Sequence, residues 1–293
     1  MTHTPWQEFR GQQALITGGS SGIGLELARQ LAAGGAHVTL LARRQPLLEA
    51  ACQELEGLRA SPVQQFDWLA VDVGDQPAVA AALGDYAARR GAPHLLVNSA
   101  GLTMPGLFHR LDLQVFEELM RVDYFGALYV TRALLPAMLE RRSGVIVNIS
   151  SVAALAGAYG YSAYAPAKNA LRSLSETLAV ELRPCGIHVC TVFPADTETP
   201  QLEFEKPYRP YVTEQLARTI GLSKPAAVAV AILRGVQKRQ YIILPGFEAW
   251  FSYRLANLLG RAYFPVMNAM VAFFLRRADP EDPCRGSEPS PPQ

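Results

Sequence analysis

At 293 residues, 49% of them hydrophobic, the chain is long enough for one large α/β domain with a sizeable core. Its 27 Lys and Arg against 26 Asp and Glu leave a formal net charge of +1, which gives no electrostatic reason to expect a nucleic-acid partner. The four cysteines (Cys52, Cys185, Cys190, Cys284) form neither a CxxC pair nor a metal-ligand pattern, so reduced thiols in a cytosolic setting are expected, with no metal and no structural disulfide.

The opening MTHTPWQEFRG has no apolar stretch of the kind a secretory signal needs. QALIT (13–17) then reads as a short buried strand ending at glycines. From Gly22 to Ala33 the apolar residues Ile23, Leu27 and Leu31 recur at helical spacing. HVTLLA (37–42) is a second strand and Leu47 to Leu58 a helix. FDWLAVDV (66–73) is a third strand, followed by a helix from Pro77 to Arg90. HLLVNSAG (94–101) is a fourth strand, Leu111 to Glu140 a long helical segment, and GVIVNIS (144–150) a fifth strand. Tyr164 to Leu182 is another long helix, and IHVCTVF (187–193) a sixth strand. Strands this apolar are buried on both faces, and helix-length crossovers separate them. The pattern predicts a doubly wound α/β fold: a parallel sheet with helices on both sides.

The first strand runs into Thr17-Gly18-Gly19-Ser20-Ser21-Gly22-Ile23-Gly24 and straight into a helix. Such a turn sets backbone N–H groups and a helix N-terminus under a pyrophosphate. Gly18 permits the tight turn, Gly22 the approach of the phosphates, and Gly24 close helix packing. A glycine-rich turn without a ligand is the alternative. The second strand ends at Ala42-Arg43-Arg44, where folds specific for NAD carry an acid for the ribose 2′-hydroxyl. A guanidinium there suits a 2′-phosphate, so NADPH is the expected cofactor; two arginines closing a surface loop are the alternative. Asp72-Val73 closes the third strand, where the acid would accept from an adenine amino group, or cap a helix, or both. Asn98-Ser99-Ala100-Gly101 closes the fourth and would let the cofactor pass close to the backbone.

Tyr164 and Lys168, four residues apart, share one helix face, and Ser151 ends the fifth strand 13 residues before Tyr164. In a doubly wound sheet the strand C-termini line the cofactor crevice, so the three side chains converge there. A carbonyl that accepts hydride develops negative charge on oxygen. Ser151 and Tyr164 would hydrogen-bond that oxygen, and Tyr164 would donate the proton. Lys168 is expected to lower the phenol pKa and to hold the ribose hydroxyls.

TGGSSGIG, NSAG and Ser151…Tyr164-Ala-Pro-Ala-Lys168 resemble the short-chain dehydrogenase/reductase family over roughly residues 10–245. The resemblance implies a seven-stranded Rossmann sheet, and a homodimer or homotetramer built on the two long helices. It differs in two places. The family's Asn in an N-x-x-G setting, which helps hold a water in the proton relay, is matched by Asp123, and an ionised acid accepts but does not donate. The usual Pro-Gly after the sixth strand is Pro194-Ala195, with Thr197 and Thr199 available to a nicotinamide carboxamide. More narrowly, Gly160-Tyr161-Ser162-Ala163-Tyr164 and Pro194-Ala195-Asp196-Thr197-Glu198-Thr199-Pro200 are similar to the 3-ketodihydrosphingosine reductases, with their PxDTxTP stretch. That similarity implies NADPH-dependent reduction of 3-ketosphinganine at a membrane surface. Reductases of other apolar ketones (a steroid, a 3-ketoacyl thioester) and a dinucleotide-binding sensor without turnover are the alternatives. A substrate amine would favour an acidic partner, for which Glu198, Glu203 and Glu205 are candidates, surface solvation being the plainer reading of each.

Residues 241–275 are apolar and aromatic. Their longest uncharged run, Ala262 to Leu275, has 14 residues, whereas a spanning helix needs about 20. An amphipathic or shallowly inserted segment is expected, with an apolar lid or dimer-packing helix as the alternative. The chain thus divides into an oxidoreductase domain (1–245), an apolar segment in peripheral membrane contact (246–277) and a Pro-rich, disordered tail (278–293). The expected location is cytoplasmic, at the cytosolic face of a membrane.

Overall fold

The computed structural model describes residues 6–276. The strands are β1 (Gln13–Thr17), β2 (His37–Ala42), β3 (Phe66–Ala70), β4 (Leu95–Asn98), β5 (Gly144–Ile149), β6 (Ile187–Val192) and β7 (Ile242–Ile243). They form one seven-stranded sheet in the order β3-β2-β1-β4-β5-β6-β7, parallel throughout. This is the doubly wound Rossmann arrangement. Strand order reverses between β1 and β4, where Thr17 pairs in register with Asn98, so the ligand crevice opens at their carboxyl ends.

Alternation along the strands builds two cores, one on each face. Ile16, Leu95 and Val97 point to a layer formed by α1 (Gly22–Ala33), α2 (Gln45–Glu56) and α9 (Pro225–Gln237). Leu15, Leu96 and Ile146 point to the other, formed by α3 (Gln76–Arg90), α5 (Ala127–Arg141) and α6 (Tyr164–Leu182). Each fully buried Leu or Ile stabilises the domain by about 1.5–3 kcal/mol.

Three sequence expectations are refined. The third strand ends at Ala70 instead of running to Val73, because Asp72 Oδ1 accepts from Gly74 N (2.9 Å) and bends the chain. The cap of α3 is therefore Asp75, which accepts from Ala78 N (3.0 Å), and the N-cap reading of Asp72 is corrected. The fourth strand stops at Asn98. The long segment after Leu111 is helical as α4 (Leu113–Leu119) and α5, joined by a π-helical stretch, Met120–Gly126, that contains Asp123. π-Helical insertions recur at functional sites.

Beyond β6 come α7 (Pro200–Glu205) and α8 (Tyr211–Ile220), and after β7 come α10 (Gly246–Leu259) and α11 (Tyr263–Leu275). Among the described residues no helix is long and apolar enough to cross a membrane. Cys52, Cys185 and Cys190 are free; Cys284 and the tail 278–293 lie outside the described residues.

Candidate active site

The turn after β1 is built to take a ligand against the backbone. Gly18 has φ +65°, and a Cβ there would sit 2.8 Å from both Ala100 N and Ser99 O. A Cβ on Gly24 would lie 2.5 Å from Gly18 O, so the helix start presses directly on the turn. Ser21 caps α1 without a side-chain hydrogen bond to it, which leaves the first-turn N–H groups to an incoming anion. A pyrophosphate fits this cradle. The Thr17 side chain serves the scaffold instead, since its hydroxyl accepts from Ser99 N and Ala100 N, each at 3.0 Å, and ties β1 to β4.

The other expected cofactor contacts lie at the ends of β2, β3 and β4. Arg43 and Arg44 are exposed and make no ion pair among the described residues. Asp72 is braced by Arg121 (3.3 Å), and Val73 is buried in the second core. Asn98 donates to Thr131 Oγ1 (3.1 Å) and Asn148 Oδ1 (2.8 Å), and Asn148 donates on to Ser175 (2.8 Å). This buried polar chain holds β4, β5 and α6 together, so the Asn98 side chain is committed to the scaffold.

Across the crevice, Ser151 caps a short 3-10 turn. Its Oγ accepts from Ala153 N (3.2 Å), and its hydroxyl is also hydrogen-bonded to the Tyr164 phenol. Tyr164 opens α6, and Lys168 follows one turn later, its Nζ 5.7 Å from the Tyr164 ring centre. Lys168 is buried; it donates to Ile149 O (3.2 Å) and pairs with Asp123 Oδ2 at 3.5 Å. Asp123 is 0% exposed, and its other oxygen accepts from Leu102 N (2.7 Å). Burial raises the Asp123 carboxyl, against the pull of Lys168.

The expected lowering of the Tyr164 phenol by Lys168 is corrected by this arrangement. The phenol is held well above its ordinary value, first by burial, then by the charges of Asp123 and Glu205; the hydrogen bond with Ser151 acts in the opposite sense. The ammonium cannot dominate because Asp123 sits against it. Tyr164 is thus held as a neutral phenol.

A second set of groups faces the same space. Glu205, only 6% exposed, is not the solvated surface acid that its sequence context allowed. It accepts from Thr103 Oγ1 (2.6 Å), Tyr161 OH (2.9 Å) and Arg209 Nε (2.8 Å). Arg209 also pairs with Asp196 Oδ2 (2.7 Å). Glu198 and Glu203 are exposed, and Glu203 is bound to Lys206 (2.6 Å). The pairing of Glu205 with Arg209 at i,i+4 was available in the sequence. Nothing there pointed to Thr103, which lies 102 positions before its partner.

Tyr161, Tyr164, Lys168, Asp196 and Glu205 line one cavity of about 540 Å³. One end holds Gly18, Ser21, Gly22, Ile23 and Gly101; the middle holds Tyr164 and Lys168, with the 149–153 segment around Ser151; Pro194, Thr197 and Thr199 border it. The Thr197 hydroxyl donates to Ala195 O (2.9 Å), and Thr199 Oγ1 accepts from Leu202 N (3.3 Å) as the cap of α7, keeping its own proton to donate. The far wall is apolar: Leu216, Phe251, Leu255, Met267 and Met270 from α8, α10 and α11.

A family model described as short chain dehydrogenase matches residues 12–208. A 3-dehydrosphinganine reductase of Danio rerio is 36% identical over 228 residues, covering 78% of this chain and 69% of its own. A fatty acyl-CoA reductase of Acinetobacter baylyi is 37% identical over 209 residues, covering 69% and 68%. Among solved structures, a short-chain dehydrogenase from Streptomyces avermitilis aligns with a TM-score of 0.75 at 32% identity, over 92% of this chain and 98% of that one.

Proposed function

The chain belongs to the short-chain dehydrogenase family of oxidoreductases, and from that premise we propose that it uses NADPH to reduce the ketone of a long-chain lipid, 3-ketosphinganine, to sphinganine. The observation that carries this reading is the shape of the cavity, which runs from the catalytic hydroxyls to a wall of Phe251, Leu255, Met267 and Met270. A polar head meets the hydroxyls and an alkyl chain lies along the wall. The named activity of the Danio rerio relative agrees with such a substrate.

The glycine cradle, with Ser20, Ser21 and Ile23 beside it, holds the pyrophosphate, and Arg43 and Arg44 take the 2′-phosphate. Asp72 and Val73 border the adenine, the backbone of Asn98, Ala100 and Gly101 borders the nucleoside, and Pro194, Thr197 and Thr199 border the carboxamide. Bound NADPH supplies the hydride. Ser151 donates a hydrogen bond to the substrate oxygen, and the Tyr164 phenol gives that oxygen its proton. Lys168 is fixed by Ile149 O and Asp123, near enough to Tyr164 to steady the phenolate left behind. Asp123 acts here as a positioning residue, without contact to the substrate.

Helices α10 and α11 leave Leu258, Phe264 and Phe273 with 85%, 64% and 48% of their surface exposed. We infer that this face rests on the cytosolic side of a bilayer and lets the lipid enter beside it. A homodimer or homotetramer is expected from the family. The test is steady-state NADPH oxidation in detergent micelles with 3-ketosphinganine, a ketosteroid and a 3-ketoacyl thioester. The sphingoid ketone should show the largest kcat/KM. A larger value for the thioester would assign the substrate to the 3-ketoacyl thioesters instead.

A further inference from the structure

We propose that Asp196 is the specificity-determining residue of the cavity, receiving an ammonium group that the substrate carries next to its ketone; the proposal rests on the ketone-reductase reading above. One buried guanidinium, that of Arg209, is shared by three carboxylates: Asp196 (2.7 Å), Glu205 (Nε at 2.8 Å) and Glu214 (3.6 Å). Asp196 and Glu205 both line the cavity. Glu205 is fully engaged by Thr103, Tyr161 and Arg209. Asp196 is not: among the described residues its Oδ2 meets Arg209, while its Oδ1 accepts no hydrogen bond, and its side chain keeps 30% exposure at the cavity. It is the one acid of the set with an acceptor open to a ligand.

The charge has a consequence for the reaction. Lys168 is already balanced by Asp123, so the remaining acids leave the cavity with more negative than positive charge. Their influence reaches the reacting hydroxyl, since Glu205 and Asp196 both help to hold the Tyr164 proton. Oxygen that gains negative charge as a ketone is reduced is disfavoured in such a field. A primary ammonium on the carbon next to the ketone reverses the sign at that point, and its three donors suit an open carboxylate oxygen. A neutral ketone or an acyl thioester gains nothing there. The ligand class is therefore a long-chain 2-amino-3-ketone, recognised by its charge as well as by its chain.

The experiment uses the full chain with NADPH and two ketones of equal length, one with the 2-amino group and one without. Wild type, Asp196→Asn and Asp196→Glu are compared, with the exposed Glu198→Gln as control. Wild type should favour the amino ketone in kcat/KM by about tenfold or more, as expected of one charge-assisted hydrogen bond. Asp196→Asn should remove that preference by lowering kcat/KM for the amino ketone, while kcat/KM for the amine-free ketone stays level or rises as the negative field at Tyr164 is relieved; Asp196→Glu should restore part of the preference, and Glu198→Gln should keep it. A preference that survives Asp196→Asn, or an equal fall for both ketones, overturns the assignment. Equal use of both ketones by wild type overturns it too, while ketone reduction stands. Turnover of neither ketone removes the reductase reading and the ammonium site with it.

Discussion

Gly18 and Gly11 both have positive φ, +65° and +71°, but only Gly18 is crowded. A methyl group on Gly11 would find nothing within 4 Å, whereas one on Gly18 would lie 2.8 Å from Ala100 N and Ser99 O, both backbone atoms that cannot swing away. Gly11→Ala should therefore cost only the left-handed backbone penalty, about 1–2 kcal/mol. Gly18→Ala should cost the same penalty plus about 1–3 kcal/mol of overpacking, so that β1 and β4 move apart where their ends form the cradle. Urea unfolding of both variants gives the stability difference, and fluorescence titration with NADPH gives the affinity. Gly18→Ala should lie about 1–3 kcal/mol below Gly11→Ala and should alone weaken nucleotide binding. Equal losses in the two variants, with nucleotide affinity intact in both, would refute the claim that backbone closeness at Gly18 builds the site.

Asp123→Asn keeps an acceptor for Leu102 N but removes a charge that helps hold the Tyr164 proton. The phenol value falls, so alcohol oxidation, which needs the phenolate, should rise with pH at a lower pH than in wild type; an unmoved limb in the kcat/KM profile contradicts the pairing. Replacing Arg43 and Arg44 together by Ala should weaken NADPH at least about 10–100-fold and leave NADH little changed, because the charge-assisted contacts of both guanidiniums to the phosphate are lost; an equal loss for both nucleotides would place the arginines away from the 2′-phosphate. Leu258→Glu with Phe264→Glu should lower binding to anionic lipid vesicles at least about tenfold in a sedimentation assay without altering the melting temperature, since both side chains are exposed. Unchanged vesicle binding would remove the bilayer from this face.

The alternation of apolar runs with helical spacing made the sheet legible, because the central strands are largely buried apolar runs, while the edge strand β3 is only partly buried. β7 has only two residues and is too short to announce itself. The placing of Tyr164, Lys168 and the glycine turn at one crevice was legible because it depends on spacing within a single turn or helix. What the sequence hid depends on contacts between distant segments. The Lys168–Asp123 pair joins residues 45 apart and reverses the expected effect on Tyr164. The burial of Glu205 depends on Thr103 and Tyr161, far from it in the chain. Asn98 and Thr17 looked like cofactor contacts from their places at strand ends, yet their side chains bind the sheet and helices to one another.

The most direct measurement is NADPH oxidation by 3-ketosphinganine with wild type and Tyr164→Phe side by side. Loss of the phenol hydroxyl removes the proton donor but keeps the ring, so turnover should fall at least about a hundredfold while NADPH still binds. Comparable turnover in the two proteins would contradict Tyr164 as the acid. No turnover in wild type that binds NADPH would contradict the sphingoid substrate.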